Sequence, residues 1–450
     1  MSIVGNPAIL CLLNSCPFPQ PFPQRVPTRN GGSRVALGTD TSQTIALLTD
    51  TYYPIVGGGE RHAQQLAADL RSRGWEVRIY TRQTDSNPPH EELHNGIPVL
   101  RIGPPGSGRA RKRRFARALF RHLSTHSPRP ALLLVCGMRT LGVPATAWGR
   151  RAGVPVILRA EACGEFSGAY LWQHRGSVER LALQVLLRLP LARRRRHLQR
   201  ADHFLALAGL LREEFVEGGV DPAKVTTIPN GIDLDRFRPL GEGVDRREAR
   251  CRHGLPPDAF LAVYSGKLIE GKGLDLLLEA VAQARIPRLH LLLLGSGEGM
   301  VLDREPALRA RASRADLAGR VTFSGYQQLV EEWLPLGDLF VFPSESEAFG
   351  LAPLEAAACG LPVLSSQAGA LGEILRNGET ARLLPPRDSA AWAVALEELS
   401  HSPAERDRLA RRGRAMVHSR YSRPAVTRCY EELFTALLPP RTSPTLPRES

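Results

Sequence analysis

The chain has 450 residues, of which 43% are hydrophobic and 23% are charged, and its formal net charge is +14. These proportions are typical of a folded globular protein and exclude a fibrous or wholly disordered chain. The length is too great for one ordinary core, and about 150 to 200 residues per domain predicts two domains.

The excess positive charge lies in the first half of the chain. Residues 1–240 contain 33 lysines and arginines against 18 acidic residues, whereas residues 241–450 contain 26 against 27. A basic field of this kind attracts anionic surfaces, either phospholipid or nucleic acid. The seven cysteines are scattered without the spacing of a zinc site or a disulfide framework, and we found no long apolar run. We therefore expect a cytoplasmic protein that does not span a membrane.

The first 43 residues are rich in proline and poor in apolar side chains, so we expect a disordered leader over 1–43. We also expect a disordered tail over 439–450. Folded structure is predicted to begin with the apolar strand "TIALLTD" at Thr44. A glycine-rich loop follows, and apolar residues at helical spacing then predict a helix that starts near Glu60 and stops before Gly74. The segment "EVRIYT" is the next predicted strand.

Short apolar runs alternate with helical patterns along the rest of the chain. The first group is "ALLLVCG", "VPVILRA", "HFLALA" and "VTTIPNG"; the second is "AFLAVYSG", "LHLLLLGSG", "VTFSGY", "LFVFPS", "LPVLSS" and "ARLLPP". Uninterrupted apolar strands predict parallel sheets covered on both faces. The fold class is therefore α/β, with two doubly wound domains over 44–240 and 241–418. Ligands of such sheets bind at the carboxyl ends of the strands.

Three strand-to-helix loops could carry chemistry. The first, "YYPIVGGGERH", has Gly57 and Gly58 before a helix, where the backbone can approach an anion closely. The second, "SGKLIEGKG", has Lys267 and Lys272, which could together neutralise a diphosphate. A flexible turn and two solvated lysines are the alternatives if each segment is taken alone.

The third loop, "PSESEAFGLAPLEAAACGLPV", is the most specific. Glu347 lies in the loop and Glu355 in the helix that follows, while the backbone N–H groups of Phe349, Gly350 and Leu351 are free to bind phosphate or sugar oxygens. A carboxylate can accept both hydroxyls of a ribose. The alternative is that both glutamates are ordinary acids at a helix start.

These segments occur together and in order, and with them the chain resembles the family 4 retaining glycosyltransferases of the GT-B fold. The resemblance covers residues 44 to about 438, through "YYPIVGGGE", "VTTIPNGIDLDRFRP", "SGKLIEGKGLDLLLEA", "LLLLGSGE", "VTFSGY" and "SESEAFGLAPLEAAACGLPV". It implies a UDP-, GDP- or ADP-sugar donor bound mainly by the second domain, no metal or other cofactor, and a last helix over 419–438 that crosses back to the first domain.

The resemblance also implies roles for particular residues. Glu355 would hold the ribose, and Glu347 would lie beside the transferring sugar. Lys267 and Lys272 would neutralise the diphosphate opposite the loop of Gly57 and Gly58. Lys267, Lys272 and Glu347 are therefore the predicted catalytic residues, and Phe349, Gly350 and Leu351 complete the predicted donor site.

The chain departs from the family at two places. Lys267 stands where an arginine is usual, so the charge is kept without the planar fork. The segment "VILRAEACGEFSGAY" lacks the histidine that commonly lies near the sugar, and Glu161 is the nearest polar candidate. We assign no catalytic base.

Two arginine-rich segments, "RARKRRFARALFRH" and "RLALQVLLRLPLARRRRHLQR", favour an anionic membrane surface as a partner. In the first, Phe115, Ala118, Leu119 and Leu123 fall on one helical face. An ordinary solvated surface is the alternative. Nucleic acid is disfavoured, because no aromatic stacking platform accompanies the arginines.

The sequence thus predicts a retaining glycosyltransferase with a donor site in an interdomain cleft, acting on a glycan or lipid-linked acceptor, at the inner face of the cytoplasmic membrane if the membrane hypothesis holds. Three alternatives remain open. The chain could be a nucleotide-sugar-binding protein without transferase activity, a nucleotide-sugar epimerase, or a nucleic-acid-binding protein.

Overall fold

The computed structural model describes residues 44–55, 57–84, 88–106, 108–126, 129–172, 176–300 and 302–438. The predicted leader and tail lie outside the described residues. The fold is α/β, with one sheet of eight strands formed before residue 228 and one of six strands formed after residue 259.

The first sheet is built from strands that are joined mostly by helices. Its strands are β1 (Thr44–Thr49), β2 (Glu76–Arg82), β3 (Glu91–His94), β4 (Ile97–Ile102), β5 (Leu132–Cys136), β6 (Val156–Arg159), β7 (His203–Ala206) and β8 (Val225–Thr227). Its helices are α1 (Gly58–Ser72), α2 (Arg109–Thr125), α3 (Met138–Ala152), α4 (Ser177–Leu198) and α5 (Gly209–Glu217). The strand order is β3-β4-β2-β1-β5-β6-β7-β8, and only β3 pairs antiparallel, with β4.

The second sheet has the order β11-β10-β9-β12-β13-β14, and all its pairs are parallel. Its strands are β9 (Phe260–Ser265), β10 (Leu289–Leu294), β11 (Val321–Gly325), β12 (Leu339–Phe342), β13 (Val363–Ser366) and β14 (Arg382–Leu384). The helices are α6 (Arg246–Arg252), α7 (Leu274–Gln283), α8 (Glu305–Ala312), α9 (Val330–Trp333), α10 (Leu351–Ala358), α11 (Leu371–Ile374), α12 (Ser389–His401), α13 (Pro403–Arg420) and α14 (Arg423–Leu437). Single 3₁₀ turns occur at Ala169–Leu171, Pro222–Lys224 and Leu334–Leu336.

The predicted apolar runs form the strands of both sheets, because central parallel strands are covered on two sides. All six residues of β1 and all six of β10 are buried. Helix α1 begins at Gly58, two residues before the predicted start, and buries Ala63, Leu66 and Leu70 as its spacing predicts.

The last helix, α14, packs on α1 of the first domain. Tyr430, Leu433 and Phe434 are buried in the cluster that contains Ala63 and Leu66. The ring of Phe434 lies edge-on to Trp75, with centroids 5.8 Å apart. The last described helix therefore lies on the first domain.

The apolar face of α2 lies in the hydrophobic core, not on the surface. Phe115, Leu119 and Leu123 are buried in the cluster that also contains residues of α3, and Ala118 packs against that cluster. The expectation that this face of α2 contacts a membrane is therefore wrong. Within the described ranges, no helix combines the length and apolar character needed to cross a bilayer.

Candidate functional site

The loop between β9 and α7 holds Lys272 between two glycines. Gly271 and Gly273 have φ values of 82° and 69°, in the left-handed region that glycine adopts without strain. A Cβ on Gly273 would overlap the carbonyl oxygen of Pro343. The N–H of Glu345 donates to the carbonyl of Gly271 (2.9 Å). The Lys272 loop is thus fixed against the loop that follows β12.

That second loop brings Glu347 into contact with Lys272. The Lys272 Nζ lies 2.5 Å from Glu347 Oε1, which also accepts a hydrogen bond from the Ser344 hydroxyl (2.9 Å). The N–H of Ala370 donates to the Glu347 carbonyl (2.9 Å). Two residues that the sequence places 75 positions apart therefore form one charged pair, whose ammonium is a donor for phosphate or sugar oxygens.

Glu355 lies one turn inside α10 and lines a cleft between the two domains. The same cleft is lined by Gly58 and Arg61 of α1 and by Arg236 of the segment that joins the domains. Burial raises the pKa of Glu355 above its usual value, and the charges of Arg61 and Arg236 offset part of that effect. The carboxylate is partly buried, and its position suits a ligand that supplies hydroxyl donors.

The glycine loop meets α10 across this cleft. A Cβ on Gly58 would lie 3.6 Å from the side chain of Leu351, so the first turn of α1 and the first turn of α10 face each other. Gly57 precedes α1 as its N-cap residue. The Glu60 carboxylate beside it accepts a hydrogen bond from Thr51 Oγ1 (2.5 Å). The structure therefore brings Gly58, Leu351 and Glu355 together.

The remaining predicted residues have different environments. Lys267 is exposed, and among the described residues its ammonium has no ion-pair partner. Phe349 is buried edge-on to Tyr421, with ring centroids 6.0 Å apart, so its side chain serves packing. Gly350 has a φ of 93° and is the N-cap residue of α10, without a side chain to cap the first-turn N–H groups.

Sequence reasoning missed two arginines of the cleft. Arg61 Nη2 reaches across it to Tyr326 Oη, which follows β11 (3.4 Å). Arg236 pairs with Glu331 (2.6 Å) and donates to the carbonyl of Gln328 (3.0 Å). Arg236 is within the segment "DRFRP" quoted above, but nothing in that pattern alone indicates its partner.

A buried charged cluster lies where the sequence lacked the usual histidine. Arg159, at the end of β6, is fully buried and donates to Glu161 and Asn230. Glu161 lies beside the glycine loop, 3.5 Å from the position of a Cβ on Gly59. Burial lowers the pKa of Arg159, but the charges of Glu161, Tyr430 and Cys136 and the hydrogen bond to Glu161 together outweigh that effect and raise the pKa overall. The guanidinium of Arg159 thus holds the Glu161 carboxylate beside the glycine loop.

Two family models match the chain in sequence. The model described as "Glycosyltransferase Family 4" matches residues 56–236, and the model described as "Glycosyl transferases group 1" matches residues 245–416. A D-inositol 3-phosphate glycosyltransferase of Thermomonospora curvata is 30% identical over 375 residues, which cover 79% of this chain and 85% of the relative.

Solved structures agree with the fold. Sucrose-phosphate synthase from Thermosynechococcus elongatus superposes with a TM-score of 0.71 and 25% identity, over 88% of this chain and 99% of its own. HepE of Anabaena in complex with UDP-glucose superposes with a TM-score of 0.68 and 18% identity, over 87% and 99%. Both similarities extend over the two sheets, so the architecture described above is shared as a whole.

Proposed function

Because the chain belongs to the family 4 glycosyltransferases, we propose that it transfers a hexose, with retention of anomeric configuration, from a nucleoside diphosphate sugar to a glycan or lipid-linked acceptor. The observation that carries this proposal is the contact between Lys272 and Glu347 beside α10, whose Glu355 faces Gly58 across the cleft. Cations, carboxylates and helix N-termini are the groups that such a donor requires.

Each residue has a proposed task in donor binding. Glu355 accepts the ribose hydroxyls, and the first-turn N–H groups of α10, near Gly350 and Leu351, bind diphosphate or sugar oxygens. Lys272 and Lys267 neutralise the diphosphate, for which Lys272 turns from Glu347 toward the new anion. Glu347 then accepts a hydroxyl of the sugar. No metal or other cofactor takes part.

The proposed transfer takes place on one face of the sugar. The bond from the anomeric carbon to the β-phosphate oxygen breaks as the acceptor oxygen bonds to that carbon, and the leaving phosphate takes the acceptor's proton. Lys272 offsets the charge that collects on the phosphate, which is where electrostatic stabilisation has its largest effect. Closure of the two domains, where Gly58 of α1 faces Leu351 of α10, excludes water and limits donor hydrolysis.

The comparisons suggest which substrates to test first. UDP-glucose is the ligand of the HepE complex, which makes UDP-sugars the first donors. The relative from Thermomonospora curvata is described as a D-inositol 3-phosphate glycosyltransferase, which makes an inositol phosphate the first acceptor to test beside glycan and lipid extracts. We place the reaction in the cytoplasm, at the inner face of the membrane.

Calorimetric titration of the whole chain with UDP-, GDP- and ADP-sugars tests the donor site. We expect one nucleotide class to bind and the Glu355→Ala variant to lose at least about tenfold in affinity, the usual loss when a charged hydrogen-bond partner is removed. Glu332→Ala, which changes an exposed glutamate on α9, is the matched control. Equal affinity in all three proteins would disprove the assignment of Glu355, and binding of none of the donors would disprove the proposed function.

A further inference from the structure

Helix α4 carries an apolar face that the rest of the described chain does not cover. Its five members are Val178, Leu181, Val185, Leu186 and Leu189, whose exposed fractions run from 63 to 83%. At 3.6 residues per turn they fall within an arc of about 140°. Five large apolar side chains on one side of a helix are more than the scattered exposure of an ordinary surface.

The opposite side of α4 is attached to the protein. Arg194 donates to the carbonyl of Phe166 (2.9 Å) and to that of Met138 (3.3 Å), and Leu198 is buried in the core. Leu191 lies against Gly168, where a Cβ would approach its side chain to 2.5 Å. The helix is therefore held at its C-terminal half, with its apolar face turned to solvent.

The charge of α4 indicates what covers this face. The helix contains six arginines, at positions 180, 188 and 193–196, against a single acidic residue, Glu179. Arg193 and Arg196 are exposed. At 3.6 residues per turn, both fall on the same side of α4 as the apolar face. An apolar stripe that runs into a dense group of arginines matches an anionic bilayer surface.

We propose that α4 docks on an anionic lipid surface, with its apolar face in the acyl boundary and the exposed Arg193 and Arg196 at the lipid phosphates. A second copy of the chain would bring two strongly basic helices together, and their repulsion opposes such a dimer. The proposal extends the membrane location proposed above, and it assigns that role to α4 instead of α2. It does not require that sugar transfer occurs.

The location of α4 gives this docking a consequence for the cleft. Helix α4 follows the segment after β6 that contains Glu161 and Glu165, and Arg194 holds that segment through Phe166. If the proposed function is correct, a docked α4 keeps the acceptor side of the cleft close to the lipid headgroups. A lipid-linked acceptor would then reach the site without leaving the bilayer.

Flotation of the full chain with vesicles tests the proposal. We expect binding to vesicles of phosphatidylcholine with one quarter phosphatidylglycerol, little binding to pure phosphatidylcholine, and weaker binding as salt is raised, since salt screens the arginines. The Leu181→Ser/Val185→Ser/Leu189→Ser variant should partition at least about tenfold less, because three apolar side chains no longer enter the bilayer. The Arg193→Gln/Arg196→Gln variant should lose the preference for anionic lipid.

Matched controls separate these effects from misfolding. Leu93→Ser/Val394→Ser changes two exposed apolar residues outside α4, and Arg411→Gln/Arg412→Gln removes two exposed arginines of α13; both should bind vesicles as the unchanged chain does. Donor binding by calorimetry should be equal in all variants if they are folded. Equal flotation with both lipids, or unchanged flotation of the α4 variants, would overturn the proposal. A dimer of the unchanged chain would also overturn it, if sedimentation velocity showed that the Leu181→Ser/Val185→Ser/Leu189→Ser variant abolishes the dimer and the unchanged chain did not bind vesicles.

Discussion

Lys272 is the residue on which the proposed chemistry depends most. Its ammonium is 2.5 Å from the Glu347 carboxylate, which holds the lysine beside the first turn of α10. We expect Lys272→Met to lower kcat by about 100-fold or more, as removal of an electrostatic group commonly does. Lys224→Met, at an exposed lysine of the first domain, should leave kcat unchanged. Rate measurements with saturating donor provide the comparison, and a Lys272→Met rate within about threefold of the unchanged enzyme would remove Lys272 from the mechanism.

The raised pKa of Glu355 predicts that donor binding depends on pH. Burial raises its pKa above the ordinary value of 4.5, and only the ionised form can accept two ribose hydroxyls. Affinity should therefore fall as pH decreases through the raised pKa, by up to about tenfold per pH unit, and the fall should begin at a higher pH than for an exposed glutamate. Titration calorimetry between about pH 8 and about pH 4.5 measures this fall in affinity.

The same pKa shift predicts the opposite effect on stability. A carboxyl whose folded pKa is raised binds its proton more tightly in the folded state, so its ionisation opposes folding as pH rises above 4.5. Glu355→Gln should bind donor weakly and without this pH dependence, yet be at least as stable as the unchanged chain at neutral pH. A Gln variant that is less stable at neutral pH would contradict this sign.

For single residues, the sequence identifies candidate members of the donor site but not the contacts between them. The positions of Lys272, Glu347 and Glu355 could be predicted because strand-to-helix loops hold the ligands of doubly wound sheets. The pairing of Lys272 with Glu347 could not be predicted, because it depends on how the loops after β9 and β12 lie against each other. Arg61 and Arg236 approach Glu355 from the other domain and from the interdomain segment, and no local pattern encodes such a meeting.

Among the secondary-structure elements, the buried strands were predictable and the edge hairpin was missed. Strands β3 and β4 are joined by Asn95 and Gly96, which both have positive φ (50° and 76°). "NG" between two short strands is a strong hairpin signal, but β3 has a polar, half-exposed sequence and does not form an apolar run. A search limited to apolar runs therefore finds only the interior of the sheet.

The helices show a second limit of periodicity. An apolar face with arginines beside it occurs in both α2 and α4, yet Phe115 of α2 is buried and Leu189 of α4 is exposed. The periodic pattern indicates that one face of a helix is apolar, but it does not indicate what covers that face. Only the arrangement of α2, α3 and α4 on the sheet distinguishes a core face from a surface one.

The loop of Lys272 gives a prediction at the scale of elements. Gly273→Ala should be more damaging than Gly271→Ala, although both have positive φ. Each substitution costs about 1 to 2 kcal/mol for the left-handed backbone, but only a Cβ at 273 meets Pro343, whereas none of the described atoms lies within 4 Å at 271. The added overlap should cost about 1 to 3 kcal/mol more.

Chemical unfolding and rate measurements on both alanine variants check this. Displacement of the 273 backbone should also move Lys272 away from Glu347, so Gly273→Ala should lose more kcat than Gly271→Ala. If the two variants have equal stability and equal kcat, then contact between the loops after β9 and β12 does not position the lysine.

For the whole molecule, α14 joins the first domain to the segment between the domains. Arg423 donates to Asp69 of α1 through Nε (3.0 Å) and through Nη2, and it pairs with Asp233 through Nη1 (2.5 Å). The resemblance implied that the last helix crosses back, but its anchoring arginine could not be predicted, because its two partners lie 354 and 190 positions away.

Arg423→Gln should therefore lower the free energy of unfolding and also disturb the segment that lines the cleft. The side chain is only 24% exposed, and its loss leaves two carboxylates without their cation, which should cost about 1 to 3 kcal/mol. Arg73→Gln is the matched control, since Arg73 pairs with Glu431 (2.7 Å) at a more exposed part of the same interface and should cost about 1 kcal/mol or less.

The two variants should also differ at the cleft. Asp233 lines the cleft with Arg236, so release of Asp233 from Arg423 should lower kcat/KM and increase hydrogen exchange in the segment 230–237, while Arg73→Gln leaves both unchanged. Exchange confined to α14 in both variants, with kcat/KM intact, would mean that the crossing helix stabilises only the first domain. Exchange that spreads to the interdomain segment in Arg423→Gln alone would mean that the helix also maintains the alignment of the two sheets, on which a donor site formed by both domains depends.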